Sequence, residues 1–326
     1  MKEQPGNLLE QAKSVLQAND QGTHTVPAAG MYPHQWLWDS CFIAIGQRHY
    51  DVDRAKQELL SLTNGQWSNG MLPNMILRKL GRHVRHGNLW QSWLNPNSPD
   101  DVVTSGITQP PMLAEAVVRI GDKLDKTERK TWYKKMYPVL LRHHQWLYND
   151  RDPHNEGLVL QLHPWETGLD NTPPWMQELV EHQLPLWIRA VNKLHLEWIV
   201  DIARRDTKYV HGSERLTAIE ALALFSAHRR LRRKNYETER ILTHSFFAIE
   251  DASFNAIFLR ANQHLEDIAK YIDKNIPIKL KEKIDKSKIA YEDLWDQYAN
   301  QYFSREFVTH KLIKIPSIAT LIPLYS

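Results

Sequence analysis

A single cysteine, Cys41, is present in 326 residues, so no disulfide can form within the chain. That fits a reducing compartment, or a fold that does not depend on oxidation. Residues Met1 to Leu16 are polar and lack the apolar centre of a signal peptide. No stretch approaches the ~18 apolar residues that a membrane span needs. Charge of one sign is not in excess: 41 basic and 38 acidic residues leave a net charge of +3. This balance gives no reason to expect a nucleic-acid or membrane-surface partner. The expectation is a cytoplasmic protein.

Motifs for several chemistries are missing too. There is no Gly-rich phosphate loop and no Gly-x-Ser-x-Gly elbow. Sixteen histidines, the His143-His144 pair among them, form no His-Glu-x-x-His and no Cys/His ligand spacing. No metal and no cofactor are expected. Strand signals are scarce: no Asn-Gly turn joins two alternating runs, and β-branched clusters are few. No fixed repeat of 30–50 residues marks a solenoid.

Helical periodicity recurs instead. Apolar residues at three- and four-residue spacing predict helices near 7–18, 36–48, 51–64, 110–121, 127–149, 181–205, 213–233, 238–249, 253–273 and 280–300. Asp51 and Asp53 are N-terminal signals for the third, Ser213 for the seventh. The helix around Trp36–Ile45 and the run Ala218–Phe225 have almost no polar face, which predicts burial on all sides. Buried helices alternating with amphipathic ones describe an inner and an outer layer, an all-α toroid. Length alone suits one or two domains. The run Arg229-Arg230-Leu231-Arg232-Arg233-Lys234 reads as a solvated helix end, where cations suit the dipole.

Tryptophan is abundant, with twelve residues, many beside Pro, Gly, Asn or Asp. Such residues either pin a loop to a core or offer a flat face to a ligand such as a sugar. The loops at 65–75, 81–109 and 150–175 are long for a compact domain and carry Trp67, Trp90, Trp93, Trp165 and Trp175. They are expected to form the walls of a site.

Three stretches hold candidate chemistry. In His163–Trp175, Glu166 and Asp170 stand four apart among tryptophans and prolines. Apolar walls raise a carboxylic acid's pKa, as a general acid requires; a helix cap is the other reading. In Tyr32–Ser40, Asp39 opens an otherwise buried helix and needs partners, either backbone amides or a sugar diol, with Trp36 or Trp38 available to stack on a pyranose. In Thr104–Pro111, Gln109 precedes two prolines at a helix start.

Together these motifs resemble a known family. Tyr-Pro-His-Gln-Trp-Leu-Trp-Asp-Ser at 32–40, Gly-Gln-Trp-Ser-Asn-Gly-Met-Leu-Pro at 65–73, Ser-Gly-Ile-Thr-Gln-Pro-Pro at 105–111 and Trp-Glu-Thr-Gly-Leu-Asp-Asn at 165–171 are similar to the mannosylglycerate and glucosylglycerate hydrolases. These belong with the processing α-glucosidases among the six-hairpin glycosidases. Phe254–Ile257 and Ile322–Tyr325 extend the resemblance over nearly the whole chain.

The resemblance implies a single (α/α) six-hairpin barrel over residues 1–326 and an inverting, exo-acting hydrolase of small α-glycosides. Asp170 would be the general acid. Tyr32, Trp36, Asp39 and Gln109 would line the sugar subsite, with Trp165 and Glu166 beside it. Asn74 stands where the family usually has histidine. The family's general base is a glutamate beyond the Pro-Leu-Tyr segment, so the barrel is expected to lack its last hairpins and to expose apolar helices at the seam. Two alternatives follow: a sugar-binding barrel without turnover, or a trehalase- or glucoamylase-like enzyme. A helical scaffold for protein partners suits the fold but not the clustered loop motifs.

Overall fold

A computed structural model describes residues 5–78, 87–169, 175, 179–180, 184–194, 216–243 and 248–326. In chain order the helices are α1 Pro5–Ala18, α2 Leu37–Gln47, α3 Val52–Thr63, α4 Leu113–Gly121, α5 Lys126–Asp150, α6 Leu186–Lys193, α7 Ala218–Arg233, α8 Thr238–Leu242, α9 Ala252–Tyr271 and α10 Ile278–Ala290. The strands are two-residue pieces: β1 Gln35–Trp36, β2 Met75–Ile76, β3 Ile249–Glu250, β4 Trp295–Asp296, β5 Gln301–Tyr302 and β6 Arg305–Glu306. The all-α class expected from periodicity holds. The chain divides into two compact units, Met1–Trp146 with Arg260–Ile278, and Leu147–Leu259 with Lys279–Ser326.

In the first unit α2 packs against α3 and α4. Asp51 caps α3 as expected, accepting a hydrogen bond from the Arg54 amide at 2.8 Å. Ala55, Leu59 and Leu62 then fall on one face and are buried; burial of each leucine stabilises by about 2 kcal/mol. Three loops are joined by backbone bonds. β1 pairs antiparallel with β2, and Ile76 bridges to Thr104. Leu37 donates to the Asn74 carbonyl at 2.9 Å, and Asn74 donates to the Ile107 carbonyl at 2.7 Å.

In the second unit β3 pairs with β6, and Ile249 also bridges to Gln161. Asp251 starts α9 by accepting from the Phe254 amide at 2.7 Å. Asn255, from the Phe254–Ile257 motif, holds Val159 through bonds to both its amide and its carbonyl. Leu158, Ala252, Ala256, Ala290, Tyr291 and Leu294 form the core there.

Several expectations change. Ser213 lies outside the described residues, and α7 is capped instead by Thr217, in a reciprocal capping box with Glu220. α8 ends at Leu242, short of the expected 249, and Ile249 and Glu250 instead lie in β3, paired with β6. The helix expected over 280–300 ends at Ala290 and passes through a 3-10 helix over Tyr291–Leu294 into a hairpin, where Asp296 accepts from the Tyr298 and Ala299 amides. Neither apolar helix is buried all round. Phe42 on α2 is 49% exposed and Phe225 on α7 is 39% exposed. Trp38 meets Phe42 edge-on, and the Arg229 guanidinium lies over Phe225.

The loop tryptophans also divide. Trp67, Trp90 and Trp175 are core residues, and the Trp67 indole donates to Thr104 Oγ1 at 2.9 Å. Trp93 is half exposed and Trp165 partly buried. Most of these rings therefore pin loops rather than wall a site. Gly70 completes the 65–73 turn with φ +103°, where an added Cβ would lie 2.3 Å from the Arg142 carbonyl oxygen. Gly70→Ala is expected to destabilise the fold by at least about 2 kcal/mol, read as a lowered urea midpoint; an unchanged midpoint would show that the turn relaxes freely.

Candidate active site

The first unit gathers Tyr32, Trp36, Asp39 and Gln109 at the N-terminus of α2. Tyr32 is exposed and meets Trp36 edge-on, ring centroids 5.9 Å apart. Trp36 occupies the N-cap position without a side-chain cap bond, and its indole nitrogen is buried without a partner among the described residues. Gln109 is buried and accepts from the Trp38 amide at 3.4 Å. Asp39 stands in the first turn of α2. Burial raises its pKa to about 6, and a bond from its own backbone amide only partly offsets this. A buried donor without an acceptor and a desolvated carboxylate on one helical turn are unfavourable in the free protein. Both would be relieved by a polyhydroxyl ligand.

The second unit holds the His163–Leu169 turn, a 3-10 turn over Pro164–Glu166. His163 opens it, its Nδ1 accepting from the Trp165 amide and its Nε2 donating to the Leu224 carbonyl, each at 3.1 Å. Burial pushes its pKa down to about 4, so the imidazole is neutral. Trp165 leans on His163 and His228 and packs against the cluster containing Trp175, Leu224 and Ile249. Glu166 is fully buried. Its oxygens accept from both Arg151 terminal nitrogens at 2.9 and 2.7 Å and from the Leu162 amide at 2.7 Å. With no surface exposed, Glu166 braces the turn. Gly168, at φ +74°, ends it. Asp170, the expected general acid, lies outside the described residues.

Residues 32–326 match the mannosylglycerate hydrolase MGH1-like glycoside hydrolase domain. The chain belongs to that family. It is 36% identical over 318 residues to the mannosylglycerate hydrolase of Thermus thermophilus, covering 97% of this chain and 72% of that protein. It is 33% identical over 280 residues to the glucosylglycerate hydrolase of Mycolicibacterium hassiacum, covering 81% of this chain and 58% of that protein. A crystal structure of the GH63 mannosylglycerate hydrolase from Thermus thermophilus, in complex with Tris and D-glycerate, superposes with a TM-score of 0.82 at 36% identity, over 98% of this chain and 72% of that one.

Sequence reasoning missed two residues of this hydrolase-family chain. Arg151, just past the end of α5, pairs with Glu166, and Glu58, on α3, holds Ser40; neither carries a motif. The burial of Glu58 on a helical face among leucines was the one available signal. Asn74, the departure from the family pattern, accepts the Ser105 hydroxyl while its backbone joins Leu37 to Ile107.

Removing Arg151 would strand Glu166 as an unpaired buried charge. Arg151→Leu is expected to destabilise the protein by about 3–5 kcal/mol, while Arg151→Leu with Glu166→Leu recovers most of that loss; equal loss in both variants would mean that the pair does not carry the turn. For Asp39, the folded-state pKa of about 6 exceeds the ~3.9 of an exposed aspartate. Between these values the folded chain binds more protons, so stability falls as pH rises from about 4 to about 6. Asp39→Asn is therefore expected to be the more stable form at pH 7 by about 2 kcal/mol, with the difference closing near pH 4. Urea midpoints at the two pH values check this, and a pH-independent difference would contradict it.

Proposed function

We propose that this chain acts in hydrolysis of a small α-glycoside, of the mannosylglycerate or glucosylglycerate type, with inversion at the anomeric carbon. The observation that carries the reading is the α2 N-terminus, where the Asp39 carboxyl is partly buried with its pKa raised and the Trp36 indole nitrogen is buried without an acceptor among the described residues. Family membership supplies the reaction class. Asp39 accepts two hydroxyls of the non-reducing sugar, Trp36 and Tyr32 meet its ring, and the Gln109 amide takes a further hydroxyl. No cofactor takes part.

Asp170 is the general acid in this reading. It stands four residues after Glu166, whose bond to Arg151 holds the turn. In the sequence Trp165 stands five residues before Asp170, and apolar neighbours of that kind keep a carboxylic acid protonated near neutrality. The acid gives its proton to the glycosidic oxygen as the bond to the anomeric carbon breaks. A water on the opposite face attacks that carbon and loses its proton to a carboxylate. In inverting enzymes the two carboxyl groups stand about 6.5–9.5 Å apart to admit the water. The chain spans 72% of one hydrolase relative and 58% of another. A single family match from 32 to 326 supports reading these residues as one catalytic domain. A cytoplasmic location accords with the one buried thiol, Cys41.

Asp170→Asn tests the assignment. Release of mannose or glucose from the two glycerate glycosides is expected to fall at least about 1000-fold, with monosaccharide affinity within about twofold of the parent. Near-parental turnover would remove Asp170 from the mechanism. A parent protein that binds sugar and releases none would instead make this a binding barrel.

A further inference from the structure

We propose that Glu58 is a positioning residue for the turn that carries Trp36 and Asp39, an inference that rests on the sugar subsite assigned above. Glu58 lies on α3 and is fully buried. Its Oε1 accepts from Ser40 Oγ at 2.5 Å and from Gln35 Nε2 at 3.2 Å. Its Oε2 accepts from the Thr25 amide at 2.7 Å and from Arg54 Nη2 at 3.0 Å. Ser40 follows Asp39 and Gln35 precedes Trp36. One carboxylate oxygen thus grips both ends of the segment Trp36-Leu37-Trp38-Asp39.

The rest of the network makes that grip directional. Gln35 Nε2 also reaches the Glu58 carbonyl at 3.2 Å. Its Oε1 accepts from Arg78 Nη2 at 2.8 Å and Ser61 Oγ at 3.1 Å. Arg54 in turn is held by Asp20 at 3.0 Å. The α2 N-terminus has no side chain of its own as a cap, so its orientation is set from outside the helix. An apolar residue at 58 would pack α3 on α2 with less desolvation cost. It would leave Ser40 and Gln35 without a common acceptor. Binding groups need their rotamers locked by surrounding hydrogen bonds, and Glu58 supplies that lock without facing the ligand.

The test compares the parent protein with Glu58→Gln and Ser40→Ala. A glutamine amide would face two donors in either orientation, so Glu58→Gln breaks one half of the network. Ser40→Ala removes the hydroxyl that donates to Glu58 and accepts from Gln35, leaves the Thr25 and Arg54 bonds in place, and serves if the first variant does not fold. Amide hydrogen exchange is read in segments 34–42 and 113–121, and calorimetric titration uses D-mannose and D-glucose. Exchange in 34–42 is expected to quicken about tenfold and monosaccharide affinity to fall about tenfold, with 113–121 unchanged. Unchanged exchange in 34–42 with only a lower Tm overturns the positioning role, whether or not the parent binds sugar. Faster exchange with parental sugar affinity also overturns it. Faster exchange in a protein that binds neither sugar supports the role of Glu58 in holding the turn and overturns the sugar reading alone.

Discussion

A carboxylate taken out of water must be surrounded by donors or it resists ionisation, and this constraint organises both units. Glu58 and Glu166 are ringed by donors, although burial still holds the Glu58 carboxyl above its ordinary range. Each is buried, each accepts from an arginine and a backbone amide, and each holds a motif-bearing segment in place. Asp39 does not meet this constraint. It is partly buried in the first turn of α2 with no side-chain donor from the described residues, and burial raises its pKa to about 6. The contrast separates two bracing carboxylates from Asp39, the one we propose meets a ligand.

Glu166 is the instructive case. In the sequence it shares a tryptophan-rich stretch with Asp170, and spacing alone offers both as candidates for chemistry. The structure turns Glu166 inward onto Arg151, which gives it a bracing function and explains why a carboxylate sits beside Trp165 at all. A short turn that must hold one shape benefits from a bidentate partner, since two parallel hydrogen bonds fix direction as well as distance. Asn74 carries a similar load by different means, with its backbone donating one way and accepting the other.

Much of the fold was legible because amphipathic helices announce themselves by period. The α3 cap at Asp51 and the ordered motifs followed from local pattern. What failed had a non-local cause. Helical period continues through 243–249, yet Ile249 is taken by Gln161 and β6, which no local window can show. Trp67 and Trp175 looked like ligand walls because their neighbours are polar, but the Trp67 indole is spent on Thr104 and both rings go to the core. Glu58 was invisible for the same reason. Its meaning depends on Thr25, Gln35 and Ser40, which lie near it only after folding. The role of Asp39 was legible as a choice between backbone amides and a sugar. Only its surroundings favour the second.

The free protein is therefore least favourable where it is proposed to work. A desolvated carboxylate and an unpaired indole donor raise the free energy of the ligand-free state, and perturbed groups of this kind gather at functional sites. Glu58 bears on that arrangement in a specific way. If the first turn of α2 could relax, Asp39 would rotate toward water and the Trp36 indole would find an acceptor. The unfavourable terms would vanish, and with them the gain on binding a sugar. A rigid network that resists this relaxation is what allows the binding energy to persist. The buried ion pair under α2 is thus better understood as holding a turn unsatisfied than as adding to stability.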